Sequence, residues 1–400
     1  MAVEFTPSAN IALLRESATI AVSQRAKALK AEGRAVIDLG AGEPDFDTPG
    51  FIREDAALAM DAGHTRYTAT EGIPALRAAI AALAREQGPV AESLVAQDVV
   101  VSNGSKQSLF NACFVLFGPG DEVLVPTPAW TSYYEMVQLA RATPITVMGD
   151  PANGFKVTAD VLAAAATDRT KGVMLNSPSN PTGAVYSPEE LREILDLAHA
   201  RGWWVISDEI YRHICYDGSA VSALQVAPAL DNLVVVDGVA KAYAMTGWRV
   251  GWAIAPRAVA RAMTAFQSHA TFHTSSVSQY GALSALTRRA DSDRAIADMV
   301  ARYRVRRDAA LAIFDRHPSL PLIRPAGAFY LFFNVEAAFP NHAAAGSAFA
   351  ERLLEEQGVA VVPGAAFRTP SWVRMSYAAP QEDVVEGLSR ALALWSELKG

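Results

Sequence analysis

Lys241 and Arg249 stand in the stretch DGVAKAYAMTGWRVG, residues 237–251. A short β-branched run, Leu233 to Val236, precedes them, so the lysine falls just past the end of a buried strand. Gly247 lies between the two cations and lets the chain fold back, bringing Arg249 toward the lysine. A lone pair of this kind is most often surface charge. Other polar stretches change that weighing. SDEIY at 207–211 puts the carboxylate of Asp208 and the phenol of Tyr211 after another apolar run, and NSPSNPTG at 176–183 puts Asn180 after a third. SNGSKQ at 102–107 offers Gly104, Ser105 and Lys106 at a strand-to-helix turn, and PTPAW at 126–130 ends in Trp130.

The elements that carry these groups alternate. Strands are expected at Val99 to Val101, Val123 to Val125, Val173 to Leu175, Trp203 to Ile206, Leu233 to Val236 and Val250 to Ile254, with amphipathic helices between them. That alternation is the mark of a parallel sheet covered on both faces. In such a sheet the C-terminal strand ends form the ligand crevice, and each polar stretch above sits at one of those ends. Helices are expected near 51–61 and 74–86, the second opened by Pro74. The helix after NSPSNPTG carries clear start signals: Ser187 as N-cap, Pro188 at N1 and Glu190 completing a capping box. An earlier helix follows Ser17 and closes at Gly33, with a short strand, Val36 to Leu39, after it. From about residue 318 the pattern changes to short strands (Phe329 to Val335, Val359 to Val362, Trp372 to Tyr377) between helices, which reads as a smaller α+β domain. The division is placed at 1–45 with 311–400 for the small domain and 46–310 for the large one.

Bulk composition narrows the class. A chain of 400 residues exceeds one comfortable core, so two domains are expected. Only 19% of residues are charged and the net charge is −7, which argues against a nucleic-acid surface. Arg302, Arg304, Arg306 and Arg307 form the one basic patch and are expected to be a solvated face or to make interdomain ion pairs. No apolar run reaches membrane-spanning length, and MAVEFTPSAN lacks a leader pattern, so no membrane partner and a cytoplasmic location are expected. Cys113 and Cys215 lie in apolar contexts and read as buried thiols of a reducing compartment; no metal site is expected.

One lysine, one carboxylate, a phenol, an amide, an indole and a glycine-serine turn opening a helix suit an anionic aromatic aldehyde, and pyridoxal 5'-phosphate meets that description. The helix start at Gly104, Ser105 and Lys106, together with Arg249, would hold the phosphate. Lys241 would supply the amine that condenses with the aldehyde. Asp208 would keep the pyridine nitrogen protonated, Tyr211 and Asn180 would bond the ring oxygen, and Trp130 would stack on the ring.

These residues carry a resemblance. AGEPDFDTP (41–49), RYTATEGIPALR (66–77), SNGSKQSLF (102–110), NSPSNPTGAVY (176–186), SDEIY (207–211), AKAYAMTGWRVG (240–251) and VRMSYA (373–378) follow, in order and over nearly the whole chain, the pattern of class I, fold-type I pyridoxal-phosphate aminotransferases. The chain is similar to the bacterial aspartate/prephenate aminotransferase subgroup. The resemblance implies an α/β fold with a mostly parallel seven-stranded sheet in the large domain, beside a smaller α+β domain. It implies ping-pong transfer of an amino group between an L-amino acid and a 2-oxo acid. It also assigns Arg374 to the substrate α-carboxylate, with Gly42, Trp130 and Asn180 lining the substrate. Tyr67 is implied to reach the phosphate of a neighbouring subunit, hence a homodimer with shared active sites.

Lys106 matches the subgroup's lysine for a distal carboxylate, so aspartate or glutamate with oxaloacetate or 2-oxoglutarate, and also prephenate, are the expected partners. The segment ATFHTSS, 270–276, departs from the subgroup at Phe272 and His273 and has no arginine, which keeps an aromatic or bulky donor open. A C–S lyase on the same fold stays open too, because the cofactor determines only that chemistry occurs at the α-carbon.

Overall fold

The structure, a computed structural model, describes residues 5–9, 11–12, 14 and 18–400. Ser17, the expected start of the first helix, lies outside the described residues; the helix itself runs Ala18–Ala31. Thirteen strands follow in chain order. They are β1 (Ile37–Asp38), β2 (Val99–Ser102), β3 (Glu122–Thr127), β4 (Thr143–Met148), β5 (Thr170–Asn176), β6 (Trp204–Asp208) and β7 (Leu233–Gly238). Then come β8 (Gly251–Ile254), β9 (Leu322–Ile323), β10 (Tyr330–Asn334), β11 (Val359–Ala360), β12 (Val362–Pro363) and β13 (Trp372–Ser376).

Seven of these make one sheet in the order β2-β8-β7-β6-β5-β3-β4. Pairing is parallel from β7 through β6, β5 and β3 to β4, whereas β8 runs antiparallel to both β7 and β2. The reversal explains how one short loop can carry both cations. Lys241 leaves the C-terminal end of β7, and Arg249 precedes the N-terminal end of β8, which lies at the same edge of the sheet.

Strand residues alternate between two apolar cores, as the pleat requires. Val99, Leu124, Val173, Val205 and Val235 face one core, shared with the helices Pro74–Arg85, Pro188–Arg201 and Ser276–Thr287. Val100, Val123, Met174, Ile206 and Val234 face the other, under the helices Ser105–Leu116, Ser132–Leu139 and Arg257–Ala270. Each such side chain contributes about 1.5–3 kcal/mol on burial, so the register of the central strands is tightly specified. The capping box forms as expected: Ser187 Oγ accepts from the amide of Glu190, and Glu190 Oε2 accepts from the amide of Ser187.

A third core gathers around the four-stranded sheet β12-β13-β10-β9 and the helices Ala345–Gln357 and Gln381–Lys399. The helix Arg289–Phe314 packs into it through Met299, Tyr303 and Ala310. β1 pairs in parallel with β11, so the chain before residue 40 joins this unit. The expected single strand Val359 to Val362 is in fact two. Val359–Ala360 pairs with β1 and Val362–Pro363 with β13, so the chain switches sheets at the buried Val361.

The arginine patch on the long helix is not one solvated face. Arg306 makes two bonds to Asp45, at 2.7 and 2.8 Å, and Arg307 is buried between Asp217 at 3.0 Å and the ring of Tyr216. Cys113 is buried as expected, but Cys215 is only partly covered. Among the described residues no helix is long and apolar enough to cross a membrane, and no group of three or more metal-ligating side chains occurs.

Candidate active site

A cavity of about 550 Å³ opens at the strand-end edge of the large sheet, where the second unit closes over it. Ser105, Lys106, Trp130, Asn180, Asp208 and Tyr211 line it, as do Lys241 and Arg249. Gly42 and Arg374 reach it from the other side. Gly104 sits just behind, as the residue before the helix Ser105–Leu116. Of the residues singled out from sequence, Tyr67 stands apart, together with Phe272 and His273. It is 86% exposed and touches Phe272 and His273, with ring centroids 5.4 Å away in each case.

The helix start is built to leave its amides free. Gly104 adopts φ +83°, and no side chain caps the first turn, so backbone N–H groups face the cavity with the positive end of the helix dipole. A β-carbon on Gly104 would stand 2.5 Å from the Arg249 guanidinium, so only glycine lets that cation approach. Arg249 itself has φ +56° and is held by two backbone carbonyls, Thr246 O at 2.9 Å and Asn103 O at 3.3 Å. Behind the turn, a β-carbon on Gly251 would fall onto the Ser105 backbone, which fixes the helix start against the first residue of β8.

Lys241 donates to the carbonyl of Gly42 and has its Nζ 5.7 Å from the ring centre of Tyr211. Burial brings its pKa down to about 8; Glu43 and Asp208 counter this, while Arg374 and Arg249 add to it. Asp208, at the end of β6, shifts the other way. Burial raises its carboxyl to about 6, against hydrogen bonds from Tyr133 Oη at 2.7 Å and the amide of Ile210 at 3.2 Å. Asn176 donates to the Asp208 carbonyl and accepts from the amide of Asn180, tying the third loop to the second.

Arg374, in β13, is 1% exposed and has no carboxylate partner among the described residues. Its two terminal nitrogens donate to Asn180 Oδ1 at 2.9 Å and Gly40 O at 2.8 Å, while Nε is buried without a partner. Tyr330 and Phe367 pack their rings 4.3 and 5.1 Å from the guanidinium carbon. Lys106 stands 4.7 Å from the Trp130 ring centre, its pKa lowered by burial and then by Arg249. With Lys27 at the mouth, five cations line the cavity against two carboxylates, Glu43 and Asp208. The cavity is therefore made for anions, one near Arg249 and the helix start, another near Arg374. A phosphorylated aldehyde fits the first position, with Lys241, whose pKa burial brings down to about 8, in the same cavity.

Other contributors were not singled out from sequence, among them Lys27, Glu43 and Phe367. Tyr133 lies one helical turn past Trp130, and Asn176 lies four residues before Asn180, so both had a local signal. Tyr330, whose hydroxyl is 2.8 Å from that of Tyr211, is 119 residues distant from it and has none. Gln24, which lines the mouth from the first helix, has none either.

A sequence profile of the family Aminotransferase class I and II matches residues 34–392. An aspartate aminotransferase of Streptomyces avermitilis is 44% identical over 98% of this chain and 97% of its own length. An aspartate/prephenate aminotransferase of Cereibacter sphaeroides is 41% identical, covering 98% of this chain and 99% of that one. Among solved structures, the aspartate aminotransferase of Thermus thermophilus with maleate superposes with a TM-score of 0.92 at 39% identity, over 98% of this chain and all of the other. The lysine, the strand-end carboxylate and the unpaired arginine thus stand in a fold shared over the full length of these relatives: the chain belongs to the class I and II aminotransferase family and is an aminotransferase.

Proposed function

We propose that this aminotransferase holds pyridoxal 5'-phosphate at Lys241 and moves the amino group of an acidic L-amino acid, aspartate or glutamate, to a 2-oxo acid. The observation that carries the reading is Arg374: a buried guanidinium with an unpaired Nε, in the same cavity as a lysine of depressed pKa. A buried cation without a counter-charge is costly, and an incoming α-carboxylate would offset that cost with the bidentate bond arginine is shaped for. The names of the curated relatives support the acidic donor.

Bound there, the cofactor would supply an aldehyde for the substrate amine and a pyridinium ring that takes up the electron pair left at the α-carbon. The chain's own residues would do the rest. The helix start at Gly104, Ser105 and Lys106, with Arg249, would hold the phosphate. Asp208, kept in place by Tyr133 and the Ile210 amide, would hold the proton on the ring nitrogen. Tyr211 and Asn180 would face the ring oxygen, and Trp130 would cover the ring. Lys241, released by the incoming amine, would move the proton to and from the α-carbon. Arg374 and Gly42 would orient the substrate, and Lys106 would meet its distal carboxylate. The smaller unit, residues 1–45 with 311–400, would bring Gly42 and Arg374 onto the larger, 46–310.

A second copy of the chain would complete the site. Tyr67 is too exposed for a side chain of its size to be serving its own cavity, and it lies beside Phe272, which is 40% exposed at φ +62°. That pair would meet the partner subunit, with Tyr67 reaching the partner's phosphate site and Phe272 and His273 lying near its substrate. This arrangement would also give those aromatic residues a part in donor choice.

Four outcomes are expected. Mixing the loaded enzyme with a panel of amino acids should discharge the cofactor's absorbance fastest with aspartate or glutamate, and Lys241→Ala should cut that half-reaction by at least about 10³-fold; pyruvate and ammonia released without an oxo acid would instead identify a lyase. The neutral form of Lys241 is the nucleophile and its pKa is about 8. Covalent capture of added pyridoxal phosphate by the empty protein should therefore quicken as pH rises and level off above about 8, in stopped-flow absorbance. Lys106→Ala should lower kcat/KM for aspartate by roughly ten- to a hundredfold, the worth of a hydrogen bond to a charged group, and leave that for phenylalanine nearly unchanged. Light scattering on the purified protein should give twice the chain mass, and Tyr67→Ala should weaken cofactor affinity.

A further inference from the structure

Tyr211 has one hydroxyl proton, and its use depends on a neighbour. The only hydrogen bond that its oxygen makes among the described residues is the 2.8 Å contact with Tyr330 Oη. Both phenols are buried, and burial raises the pKa of each, so both keep their protons across the neutral range. Two neutral phenols in contact share one hydrogen bond, in which one must donate and the other accept. The donor's proton is consumed there, and the acceptor's proton remains free for something else.

The surroundings decide between the two directions. If Tyr211 donated, the free proton would belong to Tyr330. That hydroxyl has no second acceptor among the described residues and sits against the α-carbon of Gly42, where a β-carbon would stand only 3.2 Å away. The guanidinium of Arg374 lies over the Tyr330 ring, 4.3 Å from its centre. A cation there draws electron density from the ring and makes the Tyr330 hydroxyl the stronger donor of the two. The geometry also keeps Tyr330 in place. It opens β10, paired with Ser376, while Phe332 is paired with Arg374, so Tyr330 lies diagonal to the arginine across the strand pair.

We propose that Tyr330 is a positioning residue: its hydroxyl donates to Tyr211, which commits the Tyr211 proton to the cavity and strengthens it as a donor to the oxygen of an aromatic cofactor. The proposal rests on the reading that pyridoxal phosphate binds at Lys241. It also ties the arginine that receives the substrate to the phenol that faces the cofactor, through a single ring.

The test is a double-mutant cycle on the loaded protein without substrate, reading the pH titration of the visible absorbance. A donor to the ring oxygen stabilises the anion left there when the adjacent lysine nitrogen loses its proton, so a weaker donor raises the apparent pKa of the titration. Tyr330→Phe removes one oxygen and keeps the ring under Arg374. It should raise that pKa by about 0.2–0.6 units, the size expected when one member of a hydrogen-bond chain is lost. In a Tyr211→Phe background it should add no further shift. An unmoved titration in Tyr330→Phe overturns the proposal, as does an equal shift in both backgrounds, which would mean a field effect that bypasses Tyr211. A raised KM for the amino acid with an unmoved titration also overturns it, since the Tyr330 hydroxyl would then serve the substrate carboxylate. Absence of any visible band in the wild-type protein overturns the cofactor reading itself, and this proposal with it.

Discussion

A guanidinium sealed from water with no carboxylate against it among the described residues is a costly arrangement, and the site is organised around it. Arg374 is satisfied on two nitrogens by neutral oxygens, the Asn180 amide and the Gly40 carbonyl. Those oxygens belong to different parts of the fold: Asn180 to the loop after β5 in the large sheet, Gly40 to the segment after β1 that pairs with β11. Holding the cation therefore ties the loop after β5 to the segment after β1 over the cavity. The aromatic faces of Tyr330 and Phe367 add polarizable cover without neutralising the charge. A carboxylate partner would make the protein more stable on its own and would leave nothing for a ligand to complete.

The other end of the cavity is set by backbone. β8 runs against its neighbours, so its first residue, Gly251, meets the Ser105 backbone, and Gly104 meets the Arg249 guanidinium. A β-carbon on Gly251 would push the helix start away, and one on Gly104 would displace the guanidinium. Free amides, a helix dipole and an arginine converge there because two close approaches are made possible by absent β-carbons. Charge at this end is thus delivered by geometry, whereas at the Arg374 end it is delivered by burial.

Legibility followed the range of each interaction. Lys241, Arg249, Asp208, Asn180 and the glycine-serine turn were visible because each follows a short apolar run, and a parallel sheet collects such ends at one edge. The helix at 188–201 was visible because its cap is written in consecutive residues. β4 was not, for physical reasons: it is an edge strand, mostly exposed, with Pro144 inside it, and an edge strand needs no continuous apolar run. The break at Val361 was hidden because both halves are buried and apolar, and pattern alone cannot report which sheet a residue joins. Tyr330 was invisible for a third reason. Its meaning comes from Tyr211 and Arg374, both distant in sequence, and a tyrosine in an apolar strand otherwise reads as core.

Electrostatics link the two ends of the cavity through Lys241. Burial lowers its pKa most; Glu43 and Asp208 counter this, and Arg374 and Arg249 add to it. An anion placed against Arg249 would remove that arginine's share, and a carboxylate placed against Arg374 would remove the other's. Two such anions would therefore oppose the effect of burial on the lysine. A depressed pKa favours the neutral amine, which is the form that can attack an aldehyde and the form that can accept a proton. A carboxylate against Arg374 would leave that neutral amine the stronger base, better able to take a proton once it is free. Both arginines therefore act on one lysine from opposite ends of the cavity, and an anion at either end would act on it through them.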